Sequence, residues 1–363
     1  MTEGQQLRAG ILGTGGVAVL HARALAELPG ARLVAVSDVD PDRAAAFAAE
    51  HGAERTFGSL EGMLAEGGLD VLHICTPPPG HADQAKAAFA AGAHAIVEKP
   101  PALTLAEVAD MQAAADAADR RLAVVFQQRS GTAAAHVKRL LESGALGRPL
   151  VALCQTLWHR IGAYYEAPWR GTWAGEGGGP TFSLAIHQID LLAHLLGEWS
   201  SASSRFWRLD RPIETEDVAV GSLVFESGAV ASVVTSVLSP RQESRLRIDT
   251  EKATVELVHL YGHSTANWTI TPAPGIDEDE ARSWAFPDAD VPSGHDALLA
   301  DVYAALRDGA PVPPSADEPS RALSIVAALY ASAREGAPIG RAELLARPEL
   351  GAALRAPLET PPA

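Results

Sequence analysis

Lys99 stands between an apolar run, Ala95-Ile96-Val97, and a pair of prolines, Pro100-Pro101. A lysine with its backbone restrained at the end of a buried strand can lose water, lower its pKa and polarise a carbonyl or an alkoxide. A salt bridge to Glu98 or another acid is the plainer alternative, and the local sequence leaves the two even. A second group follows far along the chain. Ser183, His187 and Asp190 are four and three residues apart, which places them on one face of a helix predicted over Thr181–Leu196. The helix is entered through Gly177-Gly178-Gly179-Pro180, where a ligand has room to approach. A histidine and a carboxylate on one face suit proton transfer and hydroxyl binding. A histidine hydrogen-bonded within an interdomain helix is the plainer alternative, preferred for His187 taken alone. Trp169-Arg170-Gly171-Thr172-Trp173 lies just upstream and adds aromatic and cationic groups.

The elements that position Lys99 begin at the amino terminus. Ala9-Gly10-Ile11-Leu12 reads as a strand, Gly13-Thr14-Gly15-Gly16-Val17-Ala18 as a glycine turn into a helix, and Leu33-Val34-Ala35-Val36 as a second strand ending at Asp38. Gly13 permits the tight turn, Gly15 lets the backbone approach a pyrophosphate, and small Ala18 lets the helix pack on the strand. The helix N-terminus offers unpaired N–H groups to phosphates. Asp38 follows Ala18 by twenty residues, where an acid grips ribose hydroxyls. Val39, Asp40 and Pro41 come next and Arg43 is the nearest basic residue, so NAD is expected over NADP.

Strands and helices then alternate. Asp40-Pro41 starts a helix, Ser59 caps another, and Thr104 with Glu107 forms a capping box. Val71–Cys75, Ala95–Val97 and Leu122–Phe126 read as buried strands of a parallel sheet with right-handed crossovers. In such sheets ligands sit beyond the carboxyl ends of the strands. Thr76-Pro77, Glu98-Lys99-Pro100 and Gln127-Gln128-Arg129 all fall at that edge. His73, inside an apolar run, reads as a packed core histidine.

From Gly147 the pattern changes. Leu150–Trp158, Ser203–Leu209, Val218–Phe225, Val230–Val237, Arg245–Asp249 and Ala253–Leu257 alternate as strands do, with Glu226-Ser227-Gly228 as a hairpin turn. They predict a large, mainly antiparallel sheet with the Thr181–Leu196 helix on one face and an open apolar face suited to self-association. Thr271–Ser293 is expected to be a surface loop. Asp296–Arg307 and Pro319–Arg334 are helical by pattern and are expected to return to the first domain. The fold class is therefore α/β. Residues 1–126 form a dinucleotide-binding domain, and residues 127–363 form a substrate-binding and oligomerisation domain.

A chain of 363 residues has room for two cores, and its net charge of −16 argues against nucleic acid as a partner. Cys75 and Cys154 are too few and too distant for a disulfide scaffold or a zinc site, so no metal is expected. Met1–Leu7 is polar and short, without a secretory apolar stretch, and no run is long enough to cross a membrane. A reducing cytoplasm fits.

Together these residues resemble the glucose–fructose oxidoreductase/inositol dehydrogenase (Gfo/Idh/MocA) family. The resemblance runs from the Gly13–Ala18 turn and Asp38, through Thr76-Pro77 with His81 and Glu98-Lys99-Pro100, to Gly177-Gly178-Gly179, Ile186-His187-Gln188-Ile189-Asp190 and Leu329-Tyr330-Ala331-Ser332. It implies a Rossmann domain followed by an α/β domain with an open sheet, assembled as homodimers or homotetramers. It also implies NAD(P)-dependent oxidation of a secondary alcohol on a sugar, inositol or related ring, or the reverse. Cofactor contacts are implied at Gly13, Thr14, Gly15, Gly16, Val17 and Asp38, and at Thr76, Pro77, His81, Glu98 and Lys99. Substrate contacts are implied at Gln127, Arg129, Trp169, Arg170, Ser183, His187 and Asp190. Lys99 is placed beside the nicotinamide, His187 at the substrate hydroxyl as acid/base, and Asp190 on a neighbouring hydroxyl. Many members carry Asp or Asn where this chain has Ser183, and serine cannot supply a carboxylate's charge. Tyr164-Tyr165 with Trp169-Arg170-Gly171-Thr172-Trp173 is similar to members acting on nucleotide-linked sugars. Two alternatives stand beside the dehydrogenase: a redox-neutral glycosidase or epimerase that retains NAD, and a nucleotide-binding regulatory protein without turnover.

Overall fold

The computed structural model describes residues 6–66, 68–313 and 317–360. Met1–Gln5, the start of the polar amino-terminal stretch without a secretory apolar run, lie outside them. The chain divides into two compact units, residues 1–126 with 295–319, and residues 127–294 with 320–363.

The first unit is built on six parallel strands: β1 (Leu7–Leu12), β2 (Ala31–Ser37), β3 (Arg55–Phe57), β4 (Val71–Ile74), β5 (His94–Val97) and β6 (Leu122–Val124), ordered β3-β2-β1-β4-β5-β6. The strands are near-continuous apolar runs because helices cover both faces; Ile11, Val36, Val71 and Val97 are fully buried. Local chemistry sets the helix starts. Asp40 accepts the N–H groups of Asp42 and Arg43, Ser59 accepts that of Gly62, and Thr104 and Glu107 form the reciprocal box. Strand order reverses between β1 and β4, which opens a crevice at their carboxyl ends. Gly13 turns there at φ +84°, and a Cβ on it would lie 3.0 Å from the Cys75 carbonyl carbon and oxygen. A distant segment completes the core: helix His295–Asp308 packs on helix Gly16–Glu27 and buries Leu298, Leu299, Val302 and Tyr303.

The other late helix, Asp317–Glu335, does not share that role. From Ser320 onward it belongs to the second unit. Its hydrogen bonds explain why. Trp199 Nε1 donates to Ser324 Oγ, the Ser204 hydroxyl donates to the Leu329 carbonyl, and the Ser204 N–H donates to Ser332 Oγ.

The second unit carries β7 (Pro149–His159), β8 (Trp199–Trp207), β9 (Val218–Phe225), β10 (Val230–Ser236), β11 (Leu238–Thr250), β12 (Ala253–His259), β13 (Trp268–Pro272) and β14 (Ile339–Gly340), ordered β13-β12-β11-β7-β10-β9-β8-β14. All its pairs are antiparallel except β7 with β10. The hairpin between β9 and β10 turns at Gly228, φ +87°. Helix Ile186–Leu196 packs on β7 and β11. In the outward row, register aligns Val151, Val230 and Val224 across β7, β10 and β9, and all three are exposed.

Two sequence expectations change here. The predicted helix Thr181–Leu196 is broken into Pro180–Ser183 and Ile186–Leu196. The Leu184 and Ala185 N–H groups both return to the Pro180 carbonyl, and the Ser183 hydroxyl donates to the Gly179 carbonyl, closing the first turn on itself. The Pro- and Asp-rich 271–293 stretch is not all loop. Asp277 caps a helix, Glu278–Ser283, which seats Trp284 at 2% exposure.

Candidate active site

At the crevice of the first unit, helix Gly16–Glu27 starts from Gly15, whose backbone is extended and whose position offers no side-chain cap. A Cβ on Gly15 or Gly16 would meet nothing within 4 Å. A helix start without a side-chain cap, with room beside both glycines, suits a pyrophosphate. Ala18, fully buried, sets the close packing of helix on strand. Asp38, just past β2, accepts the Thr14 N–H at 2.8 Å, the Thr14 hydroxyl at 2.9 Å and the Asp40 N–H at 3.0 Å, and Arg43 donates from Nε at 3.1 Å. Burial works to raise its pKa, but the bonds from Arg43, Asp40 and Thr14 outweigh burial and hold it well below the usual carboxylate range. These groups fit a dinucleotide.

The second part of this edge is the Thr76 and Lys99 turns. His81 joins them, its Nδ1 lying 2.9 Å from the Pro100 carbonyl oxygen and its Nε2 2.8 Å from that of Thr76. His81 is thus a buried brace between the two turns. The Thr76 hydroxyl donates to Gln84 Oε1. Glu98 also turns inward, and its Oε2 accepts the Lys99 N–H at 3.1 Å.

In the second unit, His187 lies one residue into helix Ile186–Leu196 and is 2% exposed. Its ring meets the Tyr261 ring edge-on at 5.8 Å between centroids. Asp190, one turn later, is bound by Arg129 through two hydrogen bonds, Nε to Oδ2 at 2.8 Å and a terminal nitrogen to Oδ1. Both side chains are buried. Arg129 and Asp190, separate in the sequence expectation, form one ion pair, so Asp190 anchors a guanidinium as well as facing His187's side of the helix. Gln127 Nε2 donates to the Tyr261 hydroxyl at 3.0 Å. Ser183 does not share the helix of His187, as the break above requires.

Trp169 and Arg170 form part of an alternating stack. The Arg170 guanidinium lies 4.0 Å from the Tyr164 ring centroid and 4.2 Å from that of Trp169. It donates to the Tyr164 hydroxyl and to Glu176, so its charge is met within the loop. Arg160 lies 4.5 Å from the Trp158 ring and 5.2 Å from Tyr164. Its bonds go to the His159 carbonyl and Gln242 Oε1, and it forms no ion pair among the described residues.

Sequence reasoning missed Tyr261, His263 and Glu216. The Trp268 indole donates to His263 Nδ1, so His263 donates from Nε2 to the Gln128 carbonyl. Burial pushes His263 down to about 4 and keeps it neutral. Glu216 lies fully buried under the glycine-rich entry, where a Cβ on Gly179 would come 2.3 Å from Glu216 Oε2. Its Oε1 accepts the Tyr330 hydroxyl at 2.7 Å and the Thr181 N–H at 3.1 Å. Burial raises its pKa to about 7, against these bonds. Only the acid run Glu214–Asp217 before an apolar strand signals it in the sequence.

Comparison with known proteins adds two family matches and several relatives. Residues 7–126 match the family model described as oxidoreductase family, NAD-binding Rossmann fold, and residues 134–256 match the GFO/IDH/MocA C-terminal domain. A D-apiose dehydrogenase from Rhizobium rhizogenes is 29% identical over 70% of this chain and 74% of that protein. A scyllo-inositol 2-dehydrogenase (NAD(+)) from Bacillus subtilis is 30% identical over 65% of this chain and 68% of that protein. The WlbA dehydrogenase from Bordetella pertussis, solved with NADH and UDP-GlcNAcA, superposes with a TM-score of 0.83 at 31% identity, over 93% of this chain and 99% of that one.

Proposed function

The chain belongs to the Gfo/Idh/MocA oxidoreductase family, and from that premise we propose that it is an NAD-dependent dehydrogenase in which Lys99 and His187 handle the charge and the proton. It acts on a CH–OH group of a sugar or cyclic polyol. The observation that carries the roles is the placement of His187, buried against Tyr261 and one turn before the Arg129–Asp190 pair. NAD, bound at the Gly13–Val17 turn, supplies the hydride acceptor. Asp38 takes its ribose hydroxyls and repels a 2′-phosphate. Lys99, as ammonium, stabilises the alkoxide that develops as the hydroxyl loses its proton; as amine, it takes that proton itself. His187 accepts the proton or returns it in the reverse direction. Arg129, held by Asp190, binds a neighbouring oxygen of the ring.

A second, narrower substrate class has a specific observation behind it. Arg160, without an ion-pair partner among the described residues and stacked on Trp158 and Tyr164, suits an anionic group joined to a planar one. The WlbA relative was solved with a nucleotide-linked sugar. A nucleotide-linked sugar is therefore the first substrate to test.

The protein self-associates as a homodimer through the Val151, Val230 and Val224 face. No helix among the described residues is long and apolar enough to cross a membrane, and both cysteines are free and buried, which suits a reducing cytoplasm. The test is a screen of sugars, inositols and nucleotide-linked sugars with NAD, read by NADH absorbance. Turnover without NADH in solution supports the redox-neutral alternative. Tight NAD binding without turnover of any candidate supports the regulatory one.

A further inference from the structure

The first unit contains a buried chain of titratable groups that the roles above leave unused. Glu98 is 5% exposed, and its carboxylate is surrounded by donors. Oε1 lies 3.0 Å from His21 Nε2 and 2.9 Å from His295 Nε2, while Oε2 accepts the Lys99 N–H. His21 Nδ1 lies 2.8 Å from His73 Nδ1, and His73 Nε2 lies 2.8 Å from the Tyr303 hydroxyl. The residues come from helix Gly16–Glu27, from β4, from the turn after β5, and from the returning helix His295–Asp308.

Donor and acceptor rules order the protons. An ionised carboxylate only accepts, so His21 and His295 each direct an Nε2 proton at Oε1. Neutral His21 then has a bare Nδ1, which accepts from His73 Nδ1–H. His73 in turn has a bare Nε2, which accepts the Tyr303 hydroxyl proton. Each of these contacts is satisfied with one proton per hydrogen bond and an ionised Glu98. Burial works to raise Glu98, but the bonds from His21 and His295 outweigh it and hold Glu98 well below the usual range. Burial lowers His73 well below its ordinary value and lowers His21 against the pull of Glu98.

We propose that Glu98 is a positioning residue for Lys99: clamped in ionised form by His21 and His295, it fixes the Lys99 peptide and sets a buried negative charge beside the lysine. It rests on Lys99 being the reacting amine of the dehydrogenase proposed above. The charge keeps the Lys99 ammonium protonated to higher pH. The other titratable groups around Glu98 do not cancel it. The Cys75 thiol, after β4, is pushed well up by burial and then by Glu98 itself, and His81, from helix His81–Ala90, is lowered by burial. His21, Glu98 and His295 also form a set of metal-ligating types, their ligand atoms lying within 4.8 Å of one another. The chain continues from His21 Nδ1 through His73 to the Tyr303 hydroxyl, which favours protons over a cation.

The test reads Lys99 without needing a substrate. The chain has four lysines, so Lys86, Lys138 and Lys252 serve as internal references. Trace acylation with acetic anhydride across pH, read by mass spectrometry, gives the titration midpoint of each. At an effective dielectric near 20, a unit charge within about 10 Å is worth on the order of one pH unit. In Glu98→Gln the Lys99 midpoint falls by roughly half a unit or more, with the reference lysines unmoved, and Glu98→Asp restores most of the shift. An unchanged midpoint in folded Glu98→Gln overturns the proposal. If that variant does not fold, ¹⁵N imidazole shifts of the wild type decide. His21 and His295 are expected as Nε2–H tautomers and His73 as Nδ1–H. His73 protonated on Nε2, or a stoichiometric metal removed by chelator, overturns it. A failed dehydrogenase assignment leaves the labelling result intact, so the two failures are distinct. Once a substrate is found, the limb of the kcat–pH profile governed by Lys99 moves down in Glu98→Gln by the same amount.

Discussion

Arg43 lies across Asp38, its Nε and one terminal nitrogen donating to the two carboxylate oxygens, so the acid just past β2 carries its own counter-cation. The Arg43 side chain is 50% exposed and Asp38 is 6% exposed. The buried partner therefore fixes the pair, and the exposed one is free to be redirected. With Asp38 in place, NADH is expected to bind tighter than NADPH. In Asp38→Ala the guanidinium loses its carboxylate and becomes available to a 2′-phosphate. The ratio of NADPH to NADH affinity is expected to rise at least about tenfold, roughly 1.4 kcal/mol. Calorimetric titration measures it, and Asp38→Ala/Arg43→Ala should lose the gain. Tighter NADPH than NADH binding in the wild type would contradict the cofactor assignment.

Glu216 predicts a pH-dependent stability. Its pKa rises from 4.5 unfolded to about 7 folded, so the native state binds more protons between those values. The stability it contributes is full below the unfolded pKa and is lost as pH rises through the folded one. The loss at pH 8 is on the order of 3 kcal/mol at most. Glu216→Gln keeps an acceptor for the Tyr330 hydroxyl and the Thr181 N–H but has no charge to bury. Urea unfolding at pH 5 and pH 8 should show the variant gaining on the wild type at the higher pH. Parallel curves at both values would sink this account of Glu216.

Much of the fold is legible in the sequence because its signals are local. The glycine turn, the caps at Asp40, Ser59 and Thr104, and the hairpin at Gly228 depend on residues within a few positions of one another. The helix through Ser183 was misread for a local reason too. Spacing alone shows a common face, but not that a serine hydroxyl and a proline carbonyl close the preceding turn. The Glu98 chain and the Arg129–Asp190 pair were invisible for the opposite reason. His295 lies 197 residues from Glu98, and Asp190 lies 61 from Arg129. No periodicity connects them, so only the folded chain shows that these groups meet. Tyr261 belongs with them, since its place beside His187 follows from where β12 ends.

The outward face of the second sheet predicts a dimer. Register places Val151 and Val224 on either side of Val230, and each is more than a third exposed. Toward β11 and β12 the outward residues become charged and pair with one another, Arg245 with Glu256 and Arg247 with Asp249. An apolar row bounded by satisfied charges suits burial against a second copy of itself. Light scattering at micromolar concentration should give a dimer, and Val230→Lys should shift it to monomer with the far-ultraviolet circular dichroism unchanged. A monomeric wild type would count against the interface.

The catalytic assignment predicts different losses for three residues. Lys99→Ala removes the group that carries or takes charge at the reacting oxygen, and His187→Ala removes the acid/base. General acid–base groups contribute on the order of 10²–10⁴-fold, so each variant should lose at least about a hundredfold in turnover with NAD binding nearly intact. Asp190→Asn acts differently, because the carboxylate holds Arg129 in a buried ion pair. Removing the carboxylate takes a charge partner from a buried guanidinium, at a cost of about 3–5 kcal/mol in stability by the general behaviour of buried pairs. Asp190→Asn should therefore lower the unfolding midpoint as well as substrate affinity and rate, while His187→Ala should affect mainly the rate. Rapid-mixing measurement of hydride transfer on the purified variants, beside their urea midpoints, separates these patterns. Near wild-type transfer in both Lys99→Ala and His187→Ala would place the chemistry on other residues. A full loss in Asp190→Asn with unchanged stability would instead make the carboxylate a direct ligand of the substrate, with Arg129 its neighbour and not its charge partner.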